Sequence, residues 1–165
     1  MQKASRPLGR WQSGVFPLAA LLVAVADQLS KLWVRSNLAE GQLLFEIGFF
    51  RITNIHNTGA SFGLFRDQTL LLTIFGIVGI VVLLLYALFI YRRFPLLNNM
   101  LGKIVLGLVL GGTIGNLIDR LRFGYVTDFI DFTFWPAFNI ADSAIVIGVI
   151  LFTYSLYSLF KAGKY

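Results

Sequence analysis

Cysteine is absent from the 165 residues. Its absence excludes disulfides, thiol nucleophiles and thiolate metal sites. Histidine occurs once, as His56, so a histidine metal cluster is excluded and a Ser-His-Asp triad is poorly served. Charge is scarce too: Asp, Glu, Lys and Arg make up 13% of the chain, about half of the roughly one quarter usual in globular domains. What fills the space is apolar, with 57% hydrophobic residues and a mean hydropathy of +0.76. Long uncharged runs of this kind imply an integral membrane protein rather than a soluble one.

A membrane-spanning helix needs about 20 apolar residues at 1.5 Å rise each. Four stretches qualify, at about Val15 to Val34, Leu70 to Tyr91, Leu101 to Ile118 and Ile140 to Leu159. No repeat, low-complexity segment or linker divides them, so residues 1–165 read as a single integral membrane domain. The first stretch, preceded by basic residues, also has the look of a cleavable leader. Its apolar character continues through Leu29, Leu32, Trp33 and Val34, which favours a retained span.

Acids are missing from one side of this topology. Lys3, Arg6, Arg10, Arg92, Arg93, Lys103, Lys161 and Lys164 share the side that holds both termini. All eight acids fall in the other loops or at the helix ends beside them. By the positive-inside rule the basic side is cytoplasmic. The pI of about 9.9 therefore reflects topology, and nucleic acid is not an expected partner. The bilayer is.

Two connections lie on the outer side. In the first, Phe50, Ile52, Asn54 and His56 alternate with Arg51, Thr53 and Ile55, which predicts a short strand followed by an Asn-Thr-Gly turn. The second, residues 119–139, carries seven aromatic rings suited to the headgroup level. The expected fold is mainly α: four transmembrane helices with a small extracytoplasmic β platform and an aromatic-rich outer loop.

Ionisable groups at membrane depth are costly and mark function more often than elsewhere. Asp27 and Lys31 stand i,i+4 with the acid first, the favourable order for a helix pair. Gly107, Gly111 and Gly115 form a ridge for close helix approach. Beyond it Asn116, Asp119 and Arg120 share a helix face, with Asp119 and Arg120 read as an ion pair anchoring the helix end. The Asn-x-x-Asp spacing recurs at Asn139 and Asp142, where an amide one turn from a carboxylate can orient it.

Converging carboxylates suggest acid–base hydrolysis. Two aspartates sharing one proton can split a peptide bond with no cofactor and no metal, because like charges held close cannot both ionise. An acid-lined transport path uses the same residue types, and a structural subunit of a membrane complex is a third reading.

The segments DQLSK (27–31), NTGASFG (57–63), GGTIGNLIDR (111–120), GYVTDFID (124–131) and FNIADS (138–143) occur in this order, with four spans and both termini inside. In these features the chain resembles the lipoprotein signal peptidases, the bacterial type II signal peptidases. Thr127 is a small departure, standing where the family commonly has valine. The resemblance implies an aspartic endopeptidase of the inner membrane that removes signal peptides from diacylglyceryl-modified prolipoproteins, cutting before the lipidated cysteine. It implies Asp128 and Asp142 as the catalytic dyad. Asn57, Gly59, Asn116, Asp119, Arg120, Asn139, Ala141, Asp27 and Lys31 match residues that line or support the site. A monomer is the expected state. If residues 126–131 are extended, Asp128 and Asp131 point to opposite faces, so Asp131 is expected to be a bystander. Asp142, in the first turn of an outward-facing helix N-terminus, is expected to be the ionised base. Asp128, among apolar neighbours, is expected to hold the proton.

Overall fold

The computed structural model describes residues 14–59, 67–90 and 99–161. Lys3, Arg6, Arg10, Arg92, Arg93 and Lys164 lie outside these residues, as do Tyr91 and the 60–63 part of the NTGASFG segment. The elements in chain order are α1 (Val15–Asn37), β1 (Leu43–Ile47), β2 (Phe50–Asn57), α2 (Thr69–Leu85), α3 (Met100–Phe123), β3 (Val126–Phe132), β4 (Trp135–Phe138) and α4 (Ile140–Lys161). A single π-helical turn, Tyr86–Ile90, extends α2. All four helices are long and apolar enough to cross a membrane, and the protein is a multi-pass membrane protein.

The third helix differs from its expected length. It runs five residues past Ile118 to Phe123 and stops at Gly124, whose φ of 78° is left-handed and whose N–H donates to the Arg120 carbonyl at 3.1 Å. Only glycine takes that conformation without a Cβ penalty. Asn116, Asp119 and Arg120 are therefore helical. The remainder of the expected aromatic loop is mostly strand, because β3 and β4 form a hairpin that completes the sheet.

The sheet is antiparallel in the order β1-β2-β3-β4. Register between β2 and β3 pairs Asn57 with Val126, Ile55 with Asp128 and Arg51 with Asp131, with a bulge between Ile52 and Ile55. Phe45, Phe49, Phe50, Phe132, Phe134 and Phe138 pack ring to ring across it at centroid distances of 5.5–5.9 Å. Where sheet and bundle meet, Val34, Leu38 and Phe129 form a small apolar core against Ile130 and Ile140.

Helix α3 is the centre of the bundle, between α1 and α4. An added Cβ on Gly107 would lie 2.6 Å from the Ala19 Cβ, and one on Gly111 would lie 2.8 Å from the Val23 Cβ. Gly115 faces the Asp27 carboxylate in the same way. The ridge thus seats α1 over three turns. Gly112, one position round the helix, seats α4 at Ile145, 2.8 Å from such a Cβ. In lipid there is no hydrophobic drive between helices, so this close backbone approach is what packs them.

Burial is inverted relative to a soluble protein. Leu18, Leu22, Leu29 and Leu32 of α1 are more than half exposed, as a bilayer-facing surface requires, while the fully buried side chains include Lys31, Asn139, Thr127, Asp27, Asp119 and Asp128.

Candidate functional site

A buried charge cluster lies where α1, α3, β3 and the start of α4 meet. Lys31 Nζ is 2.9 Å from Asp27 Oδ2 and 3.4 Å from Asp119 Oδ2, with all three side chains fully buried. Arg35, one further turn along α1, reaches Asp119 at 3.3 Å and donates to the Thr127 hydroxyl at 2.8 Å. Asp119 also accepts the Thr127 backbone N–H at 3.0 Å and the Gln28 amide at 3.1 Å. Asp27 accepts the Ala141 N–H at 3.0 Å, which uses an unpaired donor in the first turn of α4. Every acid here is held by cations and N–H donors.

This corrects the expected Asp119–Arg120 pair. Adjacent residues on a helix diverge in direction and do not face each other. Asp119 turns to the cations of α1, while Arg120 extends toward the Gly59 carbonyl at 3.5 Å. There its charge acts on Asp142 and Asp128 first and on Asp119 after them, with no direct ion pair to Asp119.

Asp128 and Asp142 are held differently. Asp128 accepts the Asn139 side-chain amide at 2.7 Å and the Asn57 amide at 2.9 Å. The Asn57 amide is aimed by its own carbonyl, which accepts the Gly59 N–H at 2.9 Å. Asp142 accepts the Asn116 amide at 2.7 Å and the Asn139 backbone N–H at 3.4 Å. Among the described residues no Lys or Arg forms an ion pair with either acid.

The two Asn-x-x-Asp motifs are therefore crossed. Each asparagine was expected to orient the acid one turn away, yet the Asn116 amide serves Asp142 and the Asn139 amide serves Asp128. Asn139 is the N-cap of α4, accepting the Asp142 N–H at 2.9 Å while Asp142 reaches back to it, the reciprocal bonds of a capping box. That use of its carbonyl leaves the amide free to point across at β3. Asn116 is fixed likewise, its carbonyl accepting Lys31 Nζ at 2.8 Å and Asn139 Nδ2 at 3.1 Å. Lys31 thus orients Asn116, Asn116 and the helix cap orient Asn139, and the amides orient the two acids.

Asp128 lies in β3, is 2% exposed, and is pushed up to about 7 by burial first and by the charge of Asp142 second. Asp131 is on the opposite face of the strand and pairs with Arg51 at 2.7 Å. His56 also stands apart, with Nδ1 3.2 Å from Glu40 and its ring stacked on Tyr125 at 3.8 Å. All of the expected site residues are gathered here, and Asp131, expected to be a bystander, lies outside. Gln28, Arg35 and Thr127 are additional members. The first two had a legible signal, since residues 27, 28, 31 and 35 fall on one face at helical spacing. Thr127 had none beyond its place next to Asp128.

Fold and site together define a multi-pass membrane protein with a buried polar cluster at one end of its helix bundle. Comparison with known proteins makes the class particular. The family described as signal peptidase (SPase) II matches residues 19–158. A lipoprotein signal peptidase of Dehalococcoides mccartyi is 48% identical over 136 residues, 82% of this chain and 84% of its own. One of Moorella thermoacetica is 47% identical over 150 residues, covering 90% and 95%. A bacterial membrane enzyme solved by the in meso method at 2.3 Å superposes with a TM-score of 0.78 at 30% identity, over 89% of this chain and 90% of that one. A second, at 1.9 Å, gives 0.74 at 32% identity over 87% and 92%. The chain belongs to the signal peptidase II family and is a membrane peptidase of the aspartic class. The transporter and structural-subunit readings end with that membership.

Proposed function

We propose that this peptidase removes the signal peptide from diacylglyceryl-modified prolipoproteins, cutting just before the lipidated cysteine, with Asp128 and Asp142 as its catalytic dyad. The observation that carries the reading is the contrast in how the buried acids are held. Asp27 and Asp119 are committed to cations, whereas Asp128 and Asp142 are positioned by amides. An amide orients a carboxyl without locking it in the ionised form, which acid–base work requires.

Charge balance supports one shared proton. Lys31, Arg35 and Arg120 bring three positive charges to the buried region, against the four carboxyls of Asp27, Asp119, Asp128 and Asp142. A single proton on the dyad makes the region neutral, and an uncompensated charge in a dry interior is expensive. Asp128 is the holder of that proton, consistent with burial raising it to about 7. Asp142, in the first turn of α4, faces the positive end of the helix dipole and serves as the carboxylate base.

The reaction then follows with atoms conserved. Asp142 takes a proton from water as the water oxygen bonds to the scissile carbonyl carbon. Asp128 gives its proton to the carbonyl oxygen, producing a neutral gem-diol. As that intermediate collapses, Asp128 recovers a proton from a hydroxyl and Asp142 protonates the departing nitrogen of the cysteine. The C–N bond breaks and both acids return to their starting states. The basic residues set both termini in the cytoplasm, so the dyad lies toward the outer face of the inner membrane, at the depth where a lipid-anchored substrate arrives. The chain acts as a monomer.

The test is cleavage of a lipidated prolipoprotein by Asp128→Asn and Asp142→Asn protein in bilayers, beside Asp119→Asn and Asp131→Asn. Either dyad variant is expected to lose on the order of 10²–10⁴ in kcat, the usual worth of a positioned acid or base. Full activity in either, with the protein correctly inserted, sinks the assignment.

A further inference from the structure

Lys103 lies in the first turn of α3 and is 3% exposed. Among the described residues it has no hydrogen-bond or ion-pair partner. Lys31, buried as deeply, is matched by Asp27 and Asp119. No such match is within reach of Lys103. Helices α1 and α3 pack in a constant register, with Ala19 facing Gly107, Val23 facing Gly111 and Asp27 facing Gly115. Asp27 is thus twelve residues of α3, about 18 Å, away from Lys103. The other seven acids belong to the outer loops and the helix ends beside them.

Carried one turn back, the same register sets Lys103 opposite Val15, the first residue of α1. Side chains lean toward the N-terminus of their own helix, so the lysine stem leans to that end. The start of α1 is itself unfilled. Its N-cap, Gly14, makes no side-chain cap bond, and its first turn holds no acid. The helix ladder begins with Leu18, which donates to the Gly14 carbonyl at 3.0 Å. Pro17 has no N–H, so Val15 and Phe16 carry the open donors of this turn. The start of α3 differs, because Asn99 accepts its Gly102 N–H at 2.7 Å.

We infer that Lys103 and the start of α1 form a binding site for one phosphate group, carried by an anionic phospholipid or present as inorganic phosphate. A buried ammonium without an anion is costly. The positive end of a helix and its open N–H groups favour an oxyanion at the same place. A phosphate has oxygens enough to accept from the ammonium and from both N–H groups at once. By the positive-inside rule this end lies in the cytoplasm, at the level of the inner-leaflet headgroups. Occupation neutralises the lysine and ties α1 to α3 at the end of their seam remote from Asp27. The site is independent of the peptide cleavage proposed above, since it lies at the other end of the bundle.

The test uses the full chain in dodecyl maltoside micelles, which carry no phosphate. Phosphatidylglycerol is added, and Tm and the lipid retained in native mass spectrometry are read for wild type, Lys103→Met and Lys161→Met. Lys161, exposed at the end of α4, controls for general attraction of basic residues to anionic lipid. Phosphatidylglycerol is expected to raise the Tm of wild type and Lys161→Met and to leave that of Lys103→Met unmoved. Wild type should hold the lipid about tenfold more tightly than Lys103→Met, the scale of a lost hydrogen bond to a charged group. Equal responses in wild type and Lys103→Met overturn the site. Diacylglycerol, which lacks the phosphate, is tested on wild type alone, and a Tm rise equal to that from phosphatidylglycerol also overturns it. Inorganic phosphate then identifies the source: a matching rise in wild-type Tm that Lys103→Met lacks assigns the free ion, and no rise assigns the lipid. None of these readings depends on cleavage, so an inactive dyad and an empty phosphate site are told apart.

Discussion

Two pairs of carboxylates lie within one buried region and meet opposite environments. Asp27 and Asp119 are enclosed by Lys31, Arg35 and N–H donors, while Asp128 and Asp142 are held by the amides of Asn57, Asn116 and Asn139. The difference separates two ways of using an acid in a dry interior. A cation beside a carboxylate favours its charged form and fixes its geometry, which suits a scaffold. An amide supplies direction while leaving the carboxyl able to gain or lose a proton, which suits chemistry. The scaffold pair also does indirect work, because Lys31 aims Asn116 and Asn116 aims Asp142.

The sharpest way to break this contrast is to remove a charge from the scaffold. Asp119→Asn leaves Lys31 and Arg35 buried with half of their compensation gone, and such losses cost about 3–5 kcal/mol. Thermal unfolding in a lipid-like medium is expected to show a large drop in Tm, with the isosteric Asp128→Asn falling far less.

A second test is pH. Asp128 is raised from 3.8 to about 7, so it binds its proton more tightly folded than unfolded. Its contribution to stability is complete below about 3.8 and is lost as pH rises through about 7. The Tm of Asp128→Asn protein is therefore expected to gain on wild type as pH climbs. In the same window the wild-type rate is expected to fall about tenfold per pH unit above 7, since the proton donor is being emptied. A flat rate between pH 6 and pH 9 would refute the proton assignment.

Gly115→Ala is a smaller perturbation of the scaffold pair. Its Cβ would meet the Asp27 carboxylate, and overpacking of this kind costs about 1–3 kcal/mol. Activity in the surviving folded protein should drop along with Tm, because the Asp27–Lys31–Asn116 relay shifts with the helix. The least effect is expected from Asp131→Asn. Its partner Arg51 is 34% exposed, and pairs open to solvent contribute about 0–1 kcal/mol. Cleavage at wild-type rate by this variant, beside a dead Asp128→Asn, would separate two acids only three residues apart in one strand.

Much of the architecture was legible before any coordinates, for physical reasons that act locally. The spans follow from the energetics of placing peptide and side chains in hydrocarbon, the strand at Phe50–Asn57 from alternation, and the opposed faces of Asp128 and Asp131 from the pleat. The close approach of a helix on Gly107, Gly111 and Gly115 follows from a four-residue repeat that needs no partner to be seen, whereas the identity of that helix, α1, does not. Misreadings came where a side chain had several partners within reach. Asp119 had an arginine as its neighbour in sequence, yet helix geometry turned the two apart. Asn116 and Asn139 each had an acid one turn away, yet each donates to an acid on another element.

The chain by itself thus determined the membrane setting, the helix count, the inventory of buried acids and, through its motifs, the family. Tertiary structure alone decided which donor faces which acid. Helical and strand periodicity constrain the face on which a residue lies, but the partner across an interface depends on how deeply two elements approach and at what rotation. Here α3, the start of α4, β2 and β3 meet so that three asparagines reach across to the acids of other elements. That crossing, rather than any residue in isolation, divides four similar aspartates into two held by cations and two held by amides.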